Sequence, residues 1–142
     1  MTVEDVMIRG VETAGADTRV EVLALTMAEE GIGSVVIERE GDPVGIVTDR
    51  DLVIQVIAEG ADPAELTAHD VMTPYPEEVR EDAGVFDLTN AMAAREVRRM
   101  PVVDDDGDIA GIVTLDDLIV LLATELANLA GVIEAESPPY SS

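Results

Sequence analysis

The stretch GIVTDRDL at residues 45–52 returns as GIVTLDDL at 111–118, with six of the eight positions identical. No other feature limits the fold as strongly, because the match extends in both directions. EDVM at 4–7 aligns with HDVM at 69–72, an offset of 65. Val20, Leu23 and Met27 then align with Val85, Leu88 and Met92, each triplet at the i, i+3, i+7 spacing of one apolar helix face. One extra residue enters near Glu96, after which the offset is 66 and Gly41-Asp42 matches Gly107-Asp108. A repeat of this length is a complete supersecondary unit, not a solenoid period.

Both copies read alike. A short leading segment (Val6-Met7-Ile8, Val71-Met72-Thr73) precedes an amphipathic helix. A β-branched run follows, SVVIE or PVVD, then a turn of Gly and acidic residues, then VGIVT or AGIVT. Two such runs around a turn predict a hairpin. A second helix starts after Thr48 or Thr114, and Gly60 is expected to cap the first of these. The expected fold class is α+β: two strand–helix–strand–strand–helix units, residues 1–65 and 66–130, meeting in GADPAELTAHD. Residues 131–142 lack periodicity and are expected to form a flexible tail. Units below ~70 residues are marginal alone, so the two copies are expected to pack sheet against sheet about a pseudo-twofold.

Charge narrows the function. The formal net charge is −23, and all eight basic residues are Arg. Such a surface repels phosphate backbones and anionic bilayers, so neither nucleic acid nor membrane is an expected partner. Distributed acidity without Lys is the pattern of proteins from salt-loving microbes, where salt screens self-repulsion, and a halophilic source is expected. With no Cys, disulfides and thiolate chemistry are excluded. No basic leader with an apolar run opens the chain, and no apolar stretch approaches the ~20 residues that span a bilayer, so neither export nor membrane spanning is expected. The expected location is cytoplasmic.

The repeated corner has two readings. Thr-x-x-Asp before an apolar run is a capping box, and Thr48/Asp51 and Thr114/Asp117 both fit it. The same corner can hold a nucleotide: a helix N-terminus attracts an anion, and a carboxylate can accept two hydrogen bonds from a ribose diol. Gly45 and Gly111 would let the backbone approach a ligand, and Ile46 or Ile112 would cover a base. From spacing alone the cap outweighs the ligand site.

Other motifs fall away. In DDDGD at 104–108, the frame that sets Gly107 as the calcium-loop glycine puts Val102 and Val113 where acids are needed. His69 is the only His, so no histidine metal cluster or Ser-His-Asp triad can form. No nucleophile–base pair, phosphate loop or dinucleotide fingerprint is visible. An enzyme is not expected, and no tightly bound cofactor or metal.

VGIVTDRDL and AGIVTLDDL, each some forty residues after DVM, resemble the paired CBS domain, named for cystathionine β-synthase. The resemblance covers about residues 4–125. It implies two repeats about a pseudo-twofold, clefts that often take adenine nucleotides or related adenosyl compounds, and modules that pair into homodimers. Carried over, the ribose acids are Asp51 and Asp117 and their hydroxyl partners Thr48 and Thr114. Basic residues before the PVV strand, here Arg98 and Arg99, would meet phosphates. The first copy has Ile32 and Gly33 there, with Arg50 as the compensating cation. On this basis the anionic site is expected at Asp117.

The leading function is a regulatory module that binds an adenosine-containing ligand (AMP, ADP, ATP, NAD or S-adenosylmethionine) and signals to a partner protein. The alternative is a ligand-independent dimerisation or interaction module. A homodimer is expected through the helices after the corners, because Leu118 to Leu122 are apolar all round and Leu126 and Leu129 extend the stripe.

Overall fold

The computed structural model describes residues 1–74 and 77–136. In the first half, β1 (Thr13–Gly15) runs parallel to β2 (Ser34–Arg39), and β2 pairs antiparallel with β3 (Asp42–Thr48). Helix α1 (Val20–Glu30) connects β1 to β2 and buries Val20, Leu23 and Met27, the face marked by the spacing. It stops at Gly31, whose φ of 65° closes the last turn in the left-handed conformation. The β2–β3 turn is Glu40-Gly41, both at positive φ, which matches the twist of a two-residue hairpin. After Thr48 the chain enters α2 (Asp49–Leu52), continued by a π-helical turn over Val53–Ile57.

The second half repeats this plan. Strand β5 (Val79–Arg80) is parallel to β6 (Arg99–Val103), which is antiparallel to β7 (Ile109–Thr114). Helix α4 (Val85–Arg95) buries Leu88 and Met92, while its third expected contact, Val85, is only half-buried. It ends at Glu96, which takes the left-handed conformation (φ 55°) that Gly31 takes in the first copy. The insertion seen in sequence near Glu96 therefore follows a helix end built without glycine. The acidic β6–β7 turn is organised by Asp104, whose Oδ1 accepts from the amides of Asp106 and Asp108 at 2.9 and 3.1 Å.

The leading segments are exchanged between the halves. Short helix α3 (Ala68–Val71) packs Ala68 and Val71 into the first core, with Leu23, Val35 and Val47. The strand after it, β4 (Thr73–Pro74), pairs with β3, Ile46 opposite Thr73. Conversely, Val3 is fully buried in the second core with Leu88, Val102 and Val113, and Ile8 bridges to Ile112 on β7. Each copy thus hands its first residues to the other's sheet, although the sequence repeat divides near residue 65. A third cluster, Val36, Ile46 and Ile112, joins the two sheets at the pseudo-twofold.

Two expectations about the C-terminal region change. Helix α5 runs from Leu115 to Glu136, so residues 131–136 continue a helix where a flexible tail was expected; 137–142 lie outside the described residues. Gly131 does not end it: unlike Gly31 and Gly60 it keeps a negative φ, and the apolar repeat of Leu126 and Leu129 carries on through Val132 and Ile133. The 22-residue helix has an 18-residue window of mean hydropathy 1.8, long and apolar enough by composition to cross a membrane. Glu125 interrupts this apolar stretch, so no unbroken run marks it in the sequence.

Candidate ligand-binding clefts

Thr48 sits where β3 becomes α2, in extended backbone (φ −107°, ψ 163°), and its hydroxyl accepts from the Asp51 amide at 3.1 Å. The Asp51 carboxylate accepts from the Thr48 amide at 2.9 Å, closing a reciprocal box. At the second corner the Asp117 amide donates to the Thr114 hydroxyl at 3.1 Å, but among the described residues the Asp117 carboxylate accepts no hydrogen bond and stands exposed. The capping chemistry read from the sequence is therefore complete in the first copy and half-made in the second.

The helix N-termini are less open to an anion than the sequence suggests. The Asp49 amide donates to the Gly33 carbonyl (2.9 Å) and the Arg50 amide to the Asp49 carboxylate (2.8 Å). Leu115 likewise donates to the Arg98 carbonyl at 2.7 Å. With these donors engaged, capture of a phosphate falls to side chains.

A cavity opens beside each corner. One, of about 230 Å³, is lined by Ile46 and Thr48 from the first copy, Thr73 and Pro74 from β4, and Val97, Arg98 and Arg99 from the second copy. The other, of about 290 Å³, is lined by Ile112 and Thr114 with Arg99, by Ile8, Gly10, Val11 and Glu12 of the leading segment, and by Ile32, Gly33 and Ser34 before β2. Each cleft combines the corner of one repeat with the approach to the middle strand of the other. That arrangement follows from packing two sheets about a twofold, which sets each β3 or β7 end against the opposite repeat.

This placement revises the cation assignment. Arg98 and Arg99 were expected to serve Asp117 in their own copy; both line the Thr48 cleft, and only Arg99 also reaches the Thr114 cleft. Arg98 is exposed and holds Asp116 at 3.0 Å, while Arg99 is half-buried and makes no salt bridge among the described residues. Arg50 is exposed and lines neither cleft, so it does not compensate there. Asp51 and Asp117 line neither cavity wall and stand three residues beyond Thr48 and Thr114. Among the described residues the Thr48 cleft carries two Arg and no acid in its lining; the Thr114 cleft carries one Arg against Glu12.

Ile46 and Ile112 are buried to 5% exposure between the sheets, and each lines one of the clefts. Gly45 and Gly111 have a different role. A Cβ on Gly111 would lie 2.5 Å from the Ile8 carbonyl oxygen, and one on Gly45 3.0 Å from that of Thr73. The close approach is by the exchanged strands, not by a ligand. Pro74, Val97, Ser34 and the Gly10–Glu12 stretch were missed as wall residues, because only knowledge of the exchange reveals them.

The CBS domain family matches residues 3–57 and 68–124. The chain belongs to that family. Both matched segments begin at the exchanged residues, Val3 and Ala68, so the CBS repeat in sequence includes a segment that packs on its twin. An uncharacterized protein of Methanopyrus kandleri is 44% identical over 121 residues, 84% of this chain, which spans 61% of that protein's length. Hypoxic response protein 1 of Mycobacterium tuberculosis is 34% identical over 118 residues, 82% of each chain. The crystal structure of Hypoxic Response Protein I with two coordinated zinc ions superposes with a TM-score of 0.71 at 32% identity, covering 84% of this chain and 97% of that one. A CBS domain pair solved with 5′-methylthioadenosine and S-adenosyl-L-methionine gives 0.73 at 26% identity, covering 88% and 98%.

Proposed function

We propose that this CBS pair is a regulatory sensor that holds an adenosine-containing ligand (AMP, ADP, ATP, NAD or S-adenosylmethionine) in its inter-repeat clefts and signals occupancy to a partner protein. The observation that carries the reading is the composite wall of each cleft: a Thr from one repeat opposite residues of the other. A ligand seated there touches both halves and so favours one relative arrangement of them, which is what coupling to a partner requires. A similar CBS pair that holds adenosyl compounds supports the ligand class. The reading assigns no catalytic step to the chain.

Within this reading, the charge of the walls sorts the ligands. The Thr48 cleft, with Arg98 and Arg99, suits a phosphate-bearing ligand; the Thr114 cleft, where Glu12 opposes Arg99, suits a neutral or cationic adenosyl group. This reverses the ranking expected from sequence. The completed box at Thr48/Asp51 favours a second reading, a ligand-independent dimerisation or interaction module in which the corners are caps only. Thermal melting at high salt with each of the five ligands separates them. A ligand at about 100 times its dissociation constant adds about 2.7 kcal/mol of stability. A shift with any of them supports the sensor, and no shift with all five supports the interaction module.

A further inference from the structure

Arg99 and its twin differ in reach. The Asp49 amide donates to the Gly33 carbonyl and the Leu115 amide to the Arg98 carbonyl, so Gly33 and Arg98 are equivalent about the pseudo-twofold. Ser34 is therefore the counterpart of Arg99. Strand pairing agrees, with Ser34 opposite Thr48 and Arg99 opposite Thr114. Ser34 lines the Thr114 cleft and Arg99 the Thr48 cleft, as the symmetry requires. Arg99 also lines the Thr114 cleft, and among the described residues no other lines both.

One positive charge thus faces two sites. Arg99 is half-buried and makes no salt bridge among the described residues, while Arg98 is exposed, tied to Asp116 and absent from the Thr114 cleft. Partial burial keeps the Arg99 charge less screened by salt than a surface cation. A phosphate monoester carries about −1.5 to −2 at pH 7, more than one guanidinium balances. Whether the guanidinium turns to one cleft or bridges both, a second phosphate meets a cation already neutralised. In the Thr114 cleft Glu12 stands against Arg99. Drawing Arg99 toward the Thr48 cleft leaves that wall net negative, which favours a cationic ligand.

We infer that Arg99 couples the two clefts with a sign set by ligand charge: a phosphate-bearing ligand in the Thr48 cleft opposes a second phosphate in the Thr114 cleft and promotes a cationic adenosyl ligand there. Resting on the reading of the clefts as adenosyl sites, this coupling makes the pair report a combination of two ligands. By linkage, the cationic ligand tightens the phosphate ligand by the same factor. A coupling carried only by a shift of the two halves acts in one direction for both charges, because it senses occupancy alone.

The test reads each cleft by nuclear magnetic resonance of the Thr48 and Thr114 methyl groups, each residue lining one cleft only. The paired occupancy curves of AMP separate intrinsic affinity from coupling. They should show the second AMP bound roughly tenfold more weakly once the first is in place, the size of one charged hydrogen bond. S-adenosylmethionine, net cationic, should bind at Thr114 more tightly when AMP fills the Thr48 cleft, and adenosine should be indifferent to AMP. R99Q should abolish both effects and R99K keep both signs, with melting to establish that each variant folds; the sign test itself needs no variant. Coupling of one sign for both ligands, coupling that survives in R99Q, or independent binding at the two methyls overturns the inference and leaves the sensor reading standing. Silence of both methyls with AMP, adenosine and S-adenosylmethionine overturns the sensor reading, and the coupling with it.

Discussion

The Ile8 amide donates to the Ile112 carbonyl at 2.8 Å, and the Ile112 amide returns the bond at 3.1 Å, across more than one hundred residues of chain. This pair ties the leading segment of the first CBS repeat to the last strand of the second. Thr73 and Ile46 make the reciprocal tie. Because the exchanged segments form one wall of each cleft, the bonds that hold the halves together also shape the sites.

The exchange leaves no room for a side chain at its crossing. Gly111→Ala sets a Cβ 2.5 Å from the Ile8 carbonyl oxygen and should destabilise the fold by about 1–3 kcal/mol. Gly131→Ala, with nothing within 4 Å, should instead gain roughly 0.5–1 kcal/mol through helix propensity. Urea melts of the two variants should therefore move in opposite directions; equal shifts would show that the crossing is not tight.

Glu96 holds the left-handed conformation that Gly31 holds in the first copy. Glu96→Gly relieves the Cβ clash of that conformation, offset by the freedom glycine gains in the unfolded chain, for a net gain of up to about 1 kcal/mol. Chemical denaturation should show a higher midpoint at an unchanged slope. A lower midpoint would mean that the Glu96 side chain is itself stabilising.

The two corner acids should differ in stability and the two arginines in ligand charge. Asp51→Ala removes a carboxylate that accepts from Thr48 and should cost about 1 kcal/mol, whereas Asp117→Ala, which breaks no such bond, should cost little. Calorimetry with AMP against adenosine should show R99Q weakening AMP by roughly tenfold, as expected for a lost charged hydrogen bond, with adenosine little changed. Equal losses for the two ligands would place Arg99 away from the phosphate.

Glu78 is pushed up to about 6 by partial loss of water and by the neighbouring carboxylate of Asp42, which places the β5 approach beside the start of β3. The folded state therefore binds this proton more tightly than the unfolded chain, and the group's contribution is full below its ordinary value of 4.5. Stability should fall as pH rises from about 4.5 to 6, a small effect because Glu78 is largely exposed. Melting temperatures across that window should slope less in Glu78→Gln. An identical slope would remove Glu78 as the source.

The sequence alone determined what depends on neighbours within a few residues. Helix faces, hairpins and caps are of this kind, since their bonds close locally. Even so, Thr-x-x-Asp is spelled four times, at Thr2/Asp5, Thr48/Asp51, Thr67/Asp70 and Thr114/Asp117. Asp5 and Asp70 accept from the amides of Thr2 and Thr67 at 2.9 and 2.8 Å, and that bond holds the Asp70 carboxyl below its ordinary range. Nothing in the motif tells these two caps from the two that face a cleft. The tertiary structure decided that, because a cleft needs a second wall: Thr48 gains one only where Arg98 and Arg99 come against it from fifty residues away. Contacts of that span follow from how two sheets twist and pack about a twofold, and no short spacing records them.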